Sequence, residues 1–166
     1  MKHDTLITRD AANKKLHVIR EFSAPVDKVW KAWTESEVLD KWWAPKPWKT
    51  ETVAMDFSEG GRWLYYMAGP NGERHYCRVD FETINTGQHF TATAVFCDEH
   101  GVQAGSMPVM HWNNTFKATA TGSKVEVELS FDKETHMKDI IAMGFEQGFT
   151  MGLGNLEELL EAEYAA

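Results

Sequence analysis

No stretch of this 166-residue chain is apolar for long enough to form a membrane-spanning helix, and the opening residues, MKHDTLITRDAANKK, lack the apolar centre of a signal peptide. These absences make the cytoplasm the expected compartment and argue against membrane insertion. Basic residues are few and do not cluster: 17 Lys and Arg stand against 25 Asp and Glu, a formal net charge of -8. Such a field repels phosphate backbones and anionic lipid, which disfavours nucleic-acid binding and membrane adsorption. Only two cysteines occur, Cys77 and Cys97, and in a reducing compartment both are expected to be free and packed. No Cys or His spacing matches a zinc site. Also missing are a recognisable Ser-His-Asp set, paired inward carboxylates and a phosphate-cradling loop. Gly60-Gly61 has no helix after it to receive a phosphate. No cofactor and no metal are expected.

What the chain has in quantity is tryptophan. Four of its seven lie in WKAWTESEVLDKWWAP, from Trp30 to Pro45. An indole needs a large apolar surface around it and, when buried, a partner for its ring N–H. Val26, Val29, Trp30 and Trp33 share one helical face after Pro25, so both tryptophans read as core aromatics. Thr34 and Glu37 fit a capping box for a second short helix through Val38, Leu39 and Trp42. Trp42 and Trp43 are adjacent, so one should plug the core and the other should reach a cavity or its rim.

Elsewhere the pattern alternates. Strands are predicted at Leu16 to Phe22, Thr50 to Phe57, Arg62 to Ala68, His75 to Ile84, His89 to Cys97, Met110 to Ala120 and Lys124 to Phe131. Asn71-Gly72 marks a hairpin. From Thr135 to about Ala162 the period becomes helical, with Ile141, Phe145, Phe149, Leu156, Leu159 and Leu160 on one stripe. A continuous helix there is roughly 40 Å long. The expected domain plan is a short, partly ordered leader at residues 1–13 and a single domain at 14–166. Short connections imply antiparallel neighbours in a sheet that twists and curls, and the long helix must bury its stripe against the concave face.

Strand parity then selects the lining of the gap between sheet and helix. Trp63, Tyr65 and Met67 share a face, as do His75, Cys77, Val79 and Phe81. Phe90, Ala92, Ala94 and Phe96 form a third set, and Met110, Trp112, Asn114 and Phe116 a fourth. Gly144, Gly148 and Gly152 recur at every fourth residue of the helix, and Gly154 follows. Helix glycines are costly, so close packing against the sheet is expected to offset them. Met143, Gln147 and Met151 lie just past them and are expected at the cavity mouth. His75 is read either as a rim residue or as a base; Tyr65 and Tyr76 could donate hydrogen bonds to a ligand carbonyl. An open sheet edge makes a homodimer possible.

REFSAPVDKVWKAWTESEVLDKWWAP resembles the opening of the activator of heat-shock-protein-90 ATPase homologue family, within the START-like and Bet v 1-like superfamily. GGRWLYYMAGPNGE and GFEQGFTMGLGNLEELLE resemble its second and third signatures. The resemblance implies an α+β helix-grip fold, with a curved antiparallel sheet wrapped around a long C-terminal helix and two short helices after the first strand. It places Trp43 near the pocket. It implies a small apolar or amphipathic ligand as partner; together with strand parity and helix spacing, the expected ligand-binding residues are Trp43, Trp63, Tyr65, Met67, His75, Cys77, Phe81, Phe96, Met110, Trp112, Met143, Gln147 and Met151. The alternatives are a cyclase-like or hydrolase-like enzyme acting on a hydrophobic carbonyl substrate, and a co-chaperone-like interaction module. The eukaryotic co-chaperone carries a further N-terminal domain for which this length leaves no room, so that reading ranks last.

Overall fold

The computed structural model describes residues 3–164; residues 1–2 of the expected leader and 165–166 of the expected domain lie outside them. One antiparallel sheet is built from β1 (Leu6–Asp10), β2 (Lys15–Phe22), β3 (Lys49–Met55), β4 (Arg62–Ala68), β5 (Arg74–Asn85), β6 (His89–Cys97), β7 (Val109–Ala118) and β8 (Ser123–Ser130). Its order is β1-β2-β8-β7-β6-β5-β4-β3, so β3 to β8 form a meander and β2 closes onto β8. The register slips at Thr52/Ala54 and again at Phe81/Ile84. Such bulges bend a strand, and the sheet curves. Helices α1 (Val26–Thr34) and α2 (Ser36–Trp42) fill the connection from β2 to β3; α3 (Glu134–Ala142) and α4 (Phe145–Tyr164) follow β8.

Three local expectations need correction. The segment taken for a leader contributes strand β1, paired with β2 from Leu6↔Ile19 to Asp10↔Lys15. The capping box at Thr34 does not form, because the hydroxyl donates back to the Trp30 carbonyl at 2.9 Å and Glu35 occupies the cap position. Ser, Thr and Asn side chains often prefer such local backbone partners. Finally, the C-terminal helix is not continuous. It breaks at Gly144, where φ is +85°, a conformation open to glycine and strained for L-residues with a Cβ. The 20-residue α4 is therefore about 30 Å long rather than 40.

The core lies between the concave face of the sheet and the helices. Leu16, Val18, Val125, Val127, Leu129 and Phe131 cover it from β2, β8 and the residue after it, while Leu153, Leu156 and Leu160 cover it from α4. Two contacts seat α4. At Gly152 a Cβ would lie 3.1 Å from the Trp43 carbonyl oxygen and 3.3 Å from that of Trp42. The close approach expected of the helix glycines is thus made to the end of α2, not to the sheet. Asn155 Nδ2 donates to the Ala44 carbonyl beside it at 3.1 Å. Further along, the buried Glu157 carboxylate accepts from Arg20 Nη2 of β2 at 2.9 Å and from the His3 backbone N–H at 2.9 Å.

Candidate functional site

The concave face is not completely filled. Two adjoining spaces lie between strands β4 to β7 and the helices. The inner one, of about 50 Å³, is walled by Trp33 and Leu39 from α1 and α2 and by Phe81, Phe90, Ala92, Ala94 and Asn114 from the strands. The outer one, of about 240 Å³, is walled by Pro45, Met67, His75, Ile140, Met143, Phe145 and Phe149. Trp43, Tyr65, Cys77, Phe96, Met110 and Trp112 border both. Strand alternation places Tyr65, Cys77, Phe96, Met110 and Trp112 on one face, because antiparallel partners such as Tyr65↔Cys77 and Cys77↔Phe96 project to the same side.

Trp43 is the hinge between the two spaces. Its neighbour Trp42 is buried and donates its ring N–H to the Ala32 carbonyl at 2.9 Å. Trp43 instead donates to the Tyr65 hydroxyl at 3.0 Å and packs edge-on against Trp33, Trp63 and Phe149. Tyr65 stacks on Trp63 with ring centroids 4.1 Å apart. Trp63 is oriented in turn by its own donor, since Nε1 donates to Thr52 Oγ1 at 2.9 Å and Thr52 donates to Asp40 Oδ1 at 2.7 Å. Burial raises the Asp40 carboxyl above its ordinary value, and the Thr52 hydrogen bond only partly offsets this. The aromatic wall is thus held by hydrogen bonds running from α2 through β3 to β4.

Two protic groups bordering both spaces, Tyr65 and Cys77, are held neutral. Burial pushes the Tyr65 phenol well above its ordinary value. Burial likewise pushes the Cys77 thiol up to about 12, despite the hydrogen bond from Tyr65. Neither is a nucleophile or a base near neutral pH; each can exchange hydrogen bonds with a guest. Cys97 pairs in register with Tyr76, so it lies on the opposite face from Cys77, and both thiols are free. His75 is exposed at the outer mouth, where its ring packs against Trp48 at 5.1 Å.

Most residues predicted from the sequence come together here. Trp43, Trp63, Tyr65, Cys77, Phe81, Phe96, Met110 and Trp112 surround the inner space, and Met67, His75 and Met143 stand at the outer one. Gln147 and Met151 do not belong. Both face away from the chamber, and Met151 is 47% exposed, because within α4 they lie opposite Phe145 and Phe149, which with Gly148 line the outer space. Trp33 and Leu39 line the inner space although Trp33 was expected in the core, while Phe145 and Phe149 come from the stripe expected against the sheet and Asn114 from the inward strand set. Asn114 carried a signal: it is a polar residue in step with the inward set Met110, Trp112 and Phe116.

A curved antiparallel sheet closed over by a C-terminal helix, with an aromatic chamber between them, defines a helix-grip protein. The family model described as activator of Hsp90 ATPase homolog 1-like protein matches residues 23–161, and the chain belongs to that family. A solution structure of a protein from Arthrobacter aurescens is 26% identical with a TM-score of 0.89, the match covering 95% of this chain and 91% of that one. The crystal structure of protein NE0264 from Nitrosomonas europaea is 28% identical with a TM-score of 0.81, covering 93% and 99%. Protein Ms6760 from Mycobacterium smegmatis, at 24% identity, a TM-score of 0.87 and coverage of 94% and 96%, shares the fold. Comparison with curated proteins finds no significant match.

Proposed function

We propose that the protein binds a small hydrophobic or amphipathic molecule in the chamber beneath α4. Family membership supports a ligand-binding or activator-like module, and the chamber favours the first. The observation that carries this reading is the outer space of about 240 Å³, open at one side and walled by Trp43, Trp112, Phe145 and Phe149. An apolar cavity of about 150 Å³ already accepts benzene, so a one- or two-ring guest fits. The wall offers few polar groups and those near its centre are neutral, which suits holding a molecule better than transforming it. Among the described residues, no helix is long and apolar enough to cross a membrane.

The test fills the mouth. A Cβ at Gly148 would lie 3.7 Å from Pro45 Cγ, an ordinary contact, so Gly148→Leu can be accommodated at its base while its branches enter the outer space. Prodan, a two-ring naphthalene dye whose emission shifts to shorter wavelength in apolar surroundings, is titrated into both proteins. Saturable binding to the native protein, weakened at least about tenfold in Gly148→Leu, is the expected result. The same substitution should raise the melting temperature, because replacing a helix-interior glycine gains about 0.5–1 kcal/mol. Saturable binding that Gly148→Leu leaves unchanged would remove the chamber from the account.

A further inference from the structure

Two residues that line the inner space each carry a buried polar atom without a partner. Asn114 is 1% exposed and its Oδ1 has no hydrogen-bond partner among the described residues. Trp33 is 4% exposed and its Nε1 is likewise without a partner. Both residues wall the same space of about 50 Å³. Buried polar atoms are nearly always paired, and an unpaired one carries a desolvation penalty. Here two occur on residues of one largely apolar wall, one an acceptor and the other a donor.

We infer that the inner space is a hydroxyl-recognition subsite, a reading that rests on the chamber being a ligand site. A hydroxyl donates one hydrogen bond and accepts others, so it can donate to Asn114 Oδ1 and accept from Trp33 Nε1. An ether or ketone oxygen cannot donate, and leaves Asn114 unpaired. A carboxylate cannot donate either and would bring a charge into an apolar space. An ammonium cannot accept. The volume also suits a group of one or two heavy atoms, with the rings of the guest remaining in the outer space beside Trp43 and Trp112. The ligand class is therefore a small cyclic alcohol or phenol, entering with the hydroxyl foremost.

Naphthalene, 2-naphthol and 2-methoxynaphthalene share one ring body and differ at this group. Isothermal titration of the native protein with each is expected to give 2-naphthol an affinity at least about tenfold above both others, although naphthalene is the more hydrophobic. A site shaped to pair a hydroxyl discriminates strongly against analogues lacking one. Asn114→Leu, close in volume and without the acceptor, should abolish that advantage, as should Trp33→Phe to a smaller degree. Equal affinity of the native protein for all three would overturn the subsite and leave chamber binding standing. Binding of none would overturn both. The comparison on native protein decides the matter even where a variant fails to fold.

Discussion

Trp42 and Trp43 are neighbours of the same residue type, yet one is a core plug and the other a wall between two spaces. The division was legible because adjacent side chains on a helix cannot point the same way; the partner of each N–H was not, since Ala32 and Tyr65 meet these rings only through the fold. Trp43→Phe keeps an aromatic ring but deletes the donor to Tyr65 and trims the indole's packing. It should lower stability by about 1 kcal/mol, seen as a reduced urea midpoint at unchanged slope. Cys77 offers a second residue-level check. A thiol raised to about 12 from an ordinary 9.0 has roughly a thousandfold less thiolate at pH 8. In a Cys97→Ser variant, reaction with a disulfide reagent at pH 8 should be slower by about that factor in the folded protein than in denaturant. A folded rate close to the denatured one would show that the thiol is not shielded as described. Asn114 was read as inward from its parity, but a pattern of alternation says nothing about whether a polar atom finds a partner there.

The strands were the most legible elements, and β4 and β6 begin and end where alternation placed them. A period of two is a local property, and the hairpins joining β3 to β8 are local contacts. The terminal helix was less so. Helical periodicity runs straight through Gly144, and only the backbone angle there separates α3 from α4. Within α4, Gln147 and Met151 lie on the face opposite Phe145 and Phe149, and that places them outside the site. The glycines of α4 also differ from one another in ways their spacing hides. Gly154 has nothing within 4 Å of an added Cβ, whereas Gly152 abuts two backbone carbonyls at the end of α2. Gly154→Ala should therefore stabilise by about 0.5–1 kcal/mol, and Gly152→Ala should destabilise despite the same gain in helix propensity. Thermal melts of the two variants beside the native protein check this, and equal shifts would contradict the described seating of α4.

At the scale of the molecule, one buried ion pair ties β2 to α4. Burial raises the Glu157 carboxyl, but the hydrogen bonds from His3 and the Arg20 charge outweigh it and leave the group below its ordinary 4.5. A lowered carboxyl pKa adds stability that is complete above the unfolded value and is lost as pH falls through the folded one. Acidification below about pH 4.5 should therefore erode this contribution. Glu157→Gln leaves Arg20 buried without its counter-charge and should cost about 3–5 kcal/mol near neutral pH. The gap in melting temperature between variant and native protein should narrow as pH falls, and a gap independent of pH would show that the pair does not act this way. None of this was visible in the sequence, because Arg20 and Glu157 meet only when the completed sheet and last helix come together.

The sheet order has a consequence for how the molecule is assembled. Phe22 pairs with Ser123 and Lys15 with Ser130, so β2 has no β8 to join until nearly every other strand has been made. The meander from β3 to β8 can zip up by near-neighbour contacts, but α4 is C-terminal to all of it. Until that helix docks, the aromatic floor faces water, and any greasy compound that reaches it competes with the nascent chain itself. In folding terms, Phe149 and Leu153 are the first guests of the surface that they later roof.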